Sequence, residues 1–333
     1  MGSSRWSDEF YRTREDLRAA TGASAFAYTD ALRSVPAGLR KTHAKMNPKG
    51  VAFRESRDSA EHPNSKAIAV LFDVTGSMGH IPIILQKKLA ELMGLLIRKG
   101  YVEHPQILFG AVGDATCDQA PLQIGQFESG LEMDDDLGRM YLEGGGGGQK
   151  TESYELAAYF MARHTAMDCF EKRGEKGYLF LIGDEQFYPA VKRREVAAII
   201  GDKLQADIPV RALFAELQRR YEVFYLIPSQ ACHGSDPVIR RAWQELLGQN
   251  VISLDDPAAV CEAIALSIGL CEGRVGLDDG LADLRDVGVD DAVVGAVSTA
   301  LAPLARHVAD RRTVTVAGAL PALASAGGGL TRL

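Results

Sequence analysis

Residues 67–72 read Ala-Ile-Ala-Val-Leu-Phe, six apolar side chains in a row that stop at Asp73. Successive residues of a strand face opposite ways, so a strand that is apolar at every position must be covered on both faces. The next residues supply one cover. After a polar, glycine-bearing loop, Ile81, Ile84, Leu85, Leu89, Leu92, Met93 and Leu96 recur at helical spacing, and Gly100 gives a stop.

The same unit recurs along the chain. Residues 107–112, 178–182, 223–227 and 251–254 are further apolar runs of strand length, and 121–127 suits a short edge strand. Helical patterns cover 153–164, 191–204, 210–220 and 258–270. Apolar strands alternating with amphipathic helices predict an α/β fold, doubly wound, with a mostly parallel central sheet, helices on both faces and one edge strand antiparallel. This unit occupies 66–272. Before it, 1–65 reads as an N-terminal arm, helical around 10–32 with a break at Gly22, then charged and rich in Pro and Gly from 41 to 64. After it, 273–333 drifts to Ala, Gly and Val, with a helix expected over 290–311 and a loose tail at Gly327, Gly328 and Gly329. No repeat of 20–50 residues is present.

Charge and cysteine content narrow the functional classes. The formal net charge is −7, whereas a nucleic-acid grip needs a basic stripe. Lys192-Arg193-Arg194 and Arg240-Arg241 read as solvated helix faces. Five widely spaced cysteines without a CxxC pair indicate neither a disulfide framework nor a zinc cluster. The first residues lack the apolar stretch of a signal peptide, and no run nears 18 apolar residues, so the expected location is cytoplasmic, away from membranes.

In a parallel sheet, ligands bind at the carboxyl ends of the strands. There the chain places Asp73-Val74-Thr75-Gly76-Ser77, whose carboxylate and two hydroxyls stand at alternate positions and can converge. The 178–182 strand ends in Asp184-Glu185. Between them lie five glycines at 144–148 and then Gln149-Lys150-Thr151-Glu152-Ser153. Hard oxygen ligands suit Mg²⁺, with Mn²⁺ or Ca²⁺ as alternatives, and suit zinc and copper poorly. A glycine run lets backbone approach a ligand closely.

Asp73-x-Thr75-x-Ser77 resembles the DxSxS motif of the metal-ion-dependent adhesion site in von Willebrand factor A domains. The glycine-rich second loop leading to a hydroxyl and the apolar strand ending in aspartate are similar too, and the likeness spans 66–271. It implies that Thr75 and Ser77 ligate the metal directly and that Asp73 and Asp184 act through bound water. The second-loop hydroxyl is Ser153, which puts Ala157 where a small helix residue is usual; Thr151 is its rival. Asp114 is either a partner behind the ligands or a turn residue, and Glu152 and Glu185 are further candidates for either a supporting or a ligating role. The resemblance further implies a binding protein rather than an enzyme. A metal position left open takes a glutamate or aspartate of a partner protein, and bacterial relatives of this type often accompany AAA⁺ ATPases.

Two enzyme readings compete. Gly144-x4-Gln149-Lys150-Thr151 is one residue from the phosphate-binding pattern GxxxxGK[ST], and 179–185 resembles the strand that accompanies it in nucleotide hydrolases. Gln149 replaces the last glycine, and 138–142 makes a poor buried strand. Haloacid dehalogenase-type phosphatases also end their first strand in an aspartate, but carry a second where this chain has Thr75, leaving no general acid. His80 sits beside the first loop as a rim or surface residue. Cys232-His233 would be an unaided nucleophile pair whose neighbouring side chains point apart. Asp134-Asp135-Asp136 reads as charge at a helix start.

Overall fold

The apolar run at 67–72 lies inside a six-stranded sheet. The structure, a computed structural model, describes residues 5–145 and 148–318, without the side chains of residues 86, 89–91 and 312–318. Gly146, Gly147, the Leu89 side chain and the tail glycines 327–329 lie outside the described residues.

The chain opens with α1 (Asp8–Thr21), α2 (Ala27–Leu32) and a short strand, β1 (Arg54–Ser56). α1 starts where the Ser7 hydroxyl accepts a bond from Phe10 N at 3.3 Å, and ends at Gly22 with φ 66°, an N-cap and a left-handed stop. Next come β2 (Lys66–Asp73), α3 (Ile81–Arg98), β3 (Pro105–Val112), β4 (Leu122–Ile124) and α4 (Glu132–Gly138). The middle holds β5 (Thr151–Glu152), α5 (Tyr154–Arg163), β6 (Thr165–Met167), α6 (Asp168–Arg173), β7 (Gly177–Ile182), β8 (Gln186–Phe187), β9 (Ala190–Val191) and α7 (Arg193–Glu195). Last are β10 (Ile208–Pro209), α8 (Val210–Leu217), β11 (Tyr221–Pro228), α9 (Pro237–Leu247), β12 (Val251–Leu254), α10 (Val260–Glu272), α11 (Leu277–Asp286) and α12 (Asp291–Gly318).

The main sheet runs β12-β11-β7-β2-β3-β4, parallel except for β4, the antiparallel edge. The protein is therefore a mixed α/β fold built on a mostly parallel sheet. Alternation splits the sheet's side chains between two cores. Ile68, Val70 and Phe72 join α3, α10 and the C-terminal helices; Ala67, Ala69 and Leu71 join α5, α8 and α9. All eight residues of β2 are buried, as a strand covered on both faces must be.

Among the departures from the sequence expectation, two are set by contacts between distant residues. The helix expected over 191–204 is cut short: Ala190–Val191 pairs with β10, and α7 passes into one wide turn at Val196–Ile200 that Gly201 ends at φ 109°. The next residue, Asp202, is drawn sideways by the Tyr159 hydroxyl at 2.7 Å and His164 Nε2 at 2.8 Å. The second departure is a parallel pairing of β1 with β6, far apart in sequence.

Both flanks reach the core. Tyr11, Phe26 and Met46 of the first 65 residues are buried in the α3 side of it, and Arg18 Nη1 holds Asp134 at 2.7 Å across to α4. Leu281, Leu284, Val294, Val297, Leu301 and Leu304 enter the same cluster. Asp291–Arg311 has the length and apolar composition of a membrane span, but these buried positions put one side of it against the protein.

Candidate metal centre

The loop after β2 leads to α3 on one face, and the residues after β7 lead towards α8 on the other. The carboxyl ends of these two adjacent strands thus open a crevice between diverging loops, the place where such sheets take ligands. Asp73 ends β2 there and Asp184 follows β7, both fully buried.

Four of the expected site residues line up in close oxygen–oxygen contact across that crevice. Asp73 Oδ1 accepts from Thr75 N at 2.7 Å and from Thr75 Oγ1 at 2.6 Å. Thr75 Oγ1 lies 3.1 Å from Ser77 Oγ, and Ser77 Oγ donates to Asp184 Oδ1 at 2.8 Å. With Thr75 and Ser77 giving their protons to carboxylates, their lone pairs are left for an electrophile. Asp184 Oδ2 accepts from the His233 backbone N–H at 2.7 Å, and the Tyr154 hydroxyl reaches Asp73 Oδ2 at 3.4 Å.

The second loop packs against the first. Gly76 N donates to Gly145 O at 2.8 Å and Gly144 N to Val74 O at 3.2 Å. A Cβ on Gly76 would lie 3.1 Å from Gly144 O, so the glycine permits this close approach. Ser153 is buried at the start of α5; its N–H donates to Gly113 O at 3.1 Å, and its Oγ accepts from Ala115 N at 2.9 Å. Among the described residues it makes no hydrogen bond to the Asp73–Asp184 chain; its neighbour Tyr154 does. Thr151 is only half-buried, in β5 beside β8. Asp114 is buried, accepting from Thr116 N at 2.8 Å, from the Tyr188 hydroxyl at 3.0 Å and from Gln149 Nε2. It is both a turn former and an anchor for the residues after the glycine loop.

The charge here is one-sided. Burial, with the Asp184 carboxylate adding to it against hydrogen bonds from Thr75, pushes the Asp73 carboxyl up to about 7. Burial and then Asp73 and Asp184 lift Glu185 to about 8, and burial, Asp73 and Glu185 lift Glu152 to about 11. Glu152 Oε2 and Glu185 Oε2 are buried with no hydrogen-bond partner. Among the described residues no lysine or arginine pairs with Asp73, Asp114, Glu152, Asp184 or Glu185; the one basic side chain within 4 Å of any of them is His233, whose Nε2 lies 3.9 Å from Glu185. Among the described residues no three His, Cys, Asp or Glu side chains gather as a metal-ligand set. The oxygens that converge here come from two carboxylates and two hydroxyls. That donor set, buried and lacking a counter-charge, fits a hard divalent cation.

No protein-family model matches the chain. No curated protein matches it. Among solved structures it is similar to the pilus adhesin SpaC from Lactobacillus rhamnosus GG in its open conformation, with a TM-score of 0.43 and 11% identity over 65% of this chain and 31% of that one. It is also similar to proximal thread matrix protein 1 from the mussel byssus, with a TM-score of 0.40 and 11% identity over 61% of this chain and 47% of that one. The chain thus spans less than half the length of either.

Residues without a sequence signal complete the site. His233 contributes a backbone N–H, which any residue but proline supplies. Cys232 N donates to Ser77 O at 3.3 Å, so the 229–236 segment closes over the crevice through its main chain; the Cys232 side chain is exposed. Tyr225 Oη and Trp243 Nε1 both donate to Glu185 O at 2.9 Å and pin the turn after β7. His80 is exposed and caps nothing with its side chain. None of the residues 139–143 before the glycines is in a strand, so the context that a phosphate-binding loop needs is missing there.

Proposed function

We propose that this chain is a doubly wound domain of the von Willebrand factor A type that binds a divalent cation, Mg²⁺ first among candidates, and through it a carboxylate of a partner protein. The observation that carries this is the Asp73–Thr75–Ser77–Asp184 chain, four buried or half-buried oxygen-bearing side chains brought together across two strand ends with no basic partner among the described residues. Thr75 and Ser77 would hold the ion directly, Asp73 and Asp184 would orient those hydroxyls, and Ser153 would complete the set from the second loop. A bound Mg²⁺ supplies a concentrated positive charge with a coordination position that an outside carboxylate can fill. The protein's own part is to keep the hydroxyls aimed and the carboxylates fixed. This is recognition rather than turnover, in an adaptor whose partner exposes Asp or Glu; an AAA⁺ ATPase system is the partner class that the motif suggests.

A thermal melt tests it. Protein stripped with EDTA and titrated with Mg²⁺, Mn²⁺ or Ca²⁺ should gain about 2.7 kcal/mol once the ion stands at roughly 100 times its dissociation constant. Asp73→Ala should lose that gain, and so should Ser77→Ala, which disturbs less of the interior. An equal response in parent and variants would place the cation elsewhere, and no response in any of them would remove the metal from the reading.

A further inference from the structure

The N-terminal arm reaches the rim of the proposed metal centre. Thr29 Oγ1 donates to Met140 O and accepts from Leu142 N, both at 2.9 Å, and Arg40 Nη1 donates to the Tyr141 hydroxyl at 3.2 Å. These bonds fix the arm on the segment that leads into the glycine loop. Between arm and loop lies a cavity of about 430 Å³, whose lining includes Arg33, Arg40 and Glu143 together with Thr75 and Gly76 of the first loop. Thr75 is therefore a wall common to the cavity and the metal centre.

The cavity carries two guanidinium groups against one carboxyl. Arg40 is half-buried, held by Val35 O at 2.9 Å from its Nε, and among the described residues it forms no ion pair. Arg33 stands largely in solvent and, among the described residues, forms an ion pair with Asp30 alone, at 3.0 Å. Glu143 Oε2 is buried without a partner, and burial raises that group's pKa, which weakens its claim on Arg40. A planar guanidinium fork with spare donors, facing a cavity, matches a carboxylate in two-point contact.

We propose that this cavity takes a second carboxylate from the same partner segment, so that the site recognises an acidic pair and the arm is part of the binding machinery. The inference rests on the metal reading above. An extended Glu-x-Glu segment places its two acids on one side roughly 7 Å apart, the scale of two sites that share a single residue as their wall.

The test uses the full chain loaded with Mg²⁺ and two probes, N-acetylglutamate amide and acetyl-Glu-Gly-Glu amide, titrated by ¹H–¹⁵N NMR. The two-carboxylate peptide should bind at least tenfold more tightly. Arg40→Gln should erase that advantage while the single-carboxylate probe binds as before; Arg33→Gln, a substitution at an exposed position, should reduce it. Glu143→Gln should strengthen it by removing the competing acid. Equal affinity of the two probes, or an advantage that survives both arginine substitutions, overturns the proposal. If the single-carboxylate probe binds without regard to Mg²⁺, the metal reading falls; the cavity then stands only if the longer peptide binds in EDTA and Arg40→Gln abolishes that binding.

Discussion

Asp73 and Asp168 are the same residue type, each almost wholly buried, yet their protonation is driven in opposite directions. At Asp73 burial and a neighbouring carboxylate raise the pKa to about 7. At Asp168 burial also pushes upward, but hydrogen bonds from Lys172 at 2.7 Å, the Asp58 N–H at 2.9 Å and Arg57 at 2.9 Å outweigh it and hold the carboxyl at about 2. The structural carboxylate comes with its own cations; among the described residues the one in the crevice has none, and the proposed cation site rests on that contrast. For Asp168 the sign is definite. A carboxyl whose folded pKa lies below its unfolded value adds stability that is present above about pH 4 and lost as pH falls towards 2. Asp168→Asn should therefore cost about 1 kcal/mol at neutral pH, a figure kept small because Lys172 and Arg57 stand partly in solvent. Urea titrations at pH 7 and pH 2.5 should show the gap between parent and variant closing in acid. A gap independent of pH would mean that packing, not charge, is what the substitution removes.

At the scale of elements, the end of β7 depends on a glycine. Gly183 precedes Asp184, and a Cβ there would fall on the Tyr154 hydroxyl, the group that reaches Asp73 from α5. Gly183→Ala should destabilise the protein by about 1–3 kcal/mol, the usual cost of overpacking, and should weaken any cation binding because Tyr154 must move. Adding Tyr154→Phe removes the obstructing oxygen, so the double variant should be more stable than the sum of the two single effects by chemical denaturation. Strict additivity would show that Gly183 is needed for its backbone alone. How much of this was legible beforehand follows from what each element is made of. β2, β3, β7 and β11 announce themselves as apolar runs because both their faces are covered, whereas β12, at the edge, is buried only at alternate positions. β1 is Arg-Glu-Ser, with no such signature, and it exists because residues over a hundred positions away offer it an edge. The turn at Gly201 was hidden for the same reason: Val196 to Ile200 fits a helix, and what bends the chain is Asp202 meeting Tyr159 and His164 from another element. In the site, Asp73, Thr75, Ser77 and Asp184 were legible as polar residues where apolar strands stop. The main-chain donor at His233 and the arginines of the arm were not, since only the folded chain brings them near.

For the whole molecule, the question is whether the segments outside 66–272 are appendages or structure. Val294, Val297 and Leu301 of α12 are fully buried, in the cluster that also holds Phe72, Phe180 and Leu226 of the central strands. Tyr101, just after α3, donates to Asp283 of α11 at 2.8 Å, and Lys99 pairs with the same carboxylate at 2.9 Å. Helices that share side-chain contacts with the middle of a sheet cannot leave without opening it, because the interior is packed without slack. Leu301→Ala should then cost about 2–5 kcal/mol, the range for a large aliphatic truncated in a core, and should shift one cooperative transition for the whole chain. Arg306→Ala, on the exposed side of the same helix, should stay within about 0.5 kcal/mol. If Leu301→Ala instead splits the melt and leaves the main transition where it was, α12 is a separately folding addition. The sheet that positions Asp73 and Asp184 would then owe it nothing.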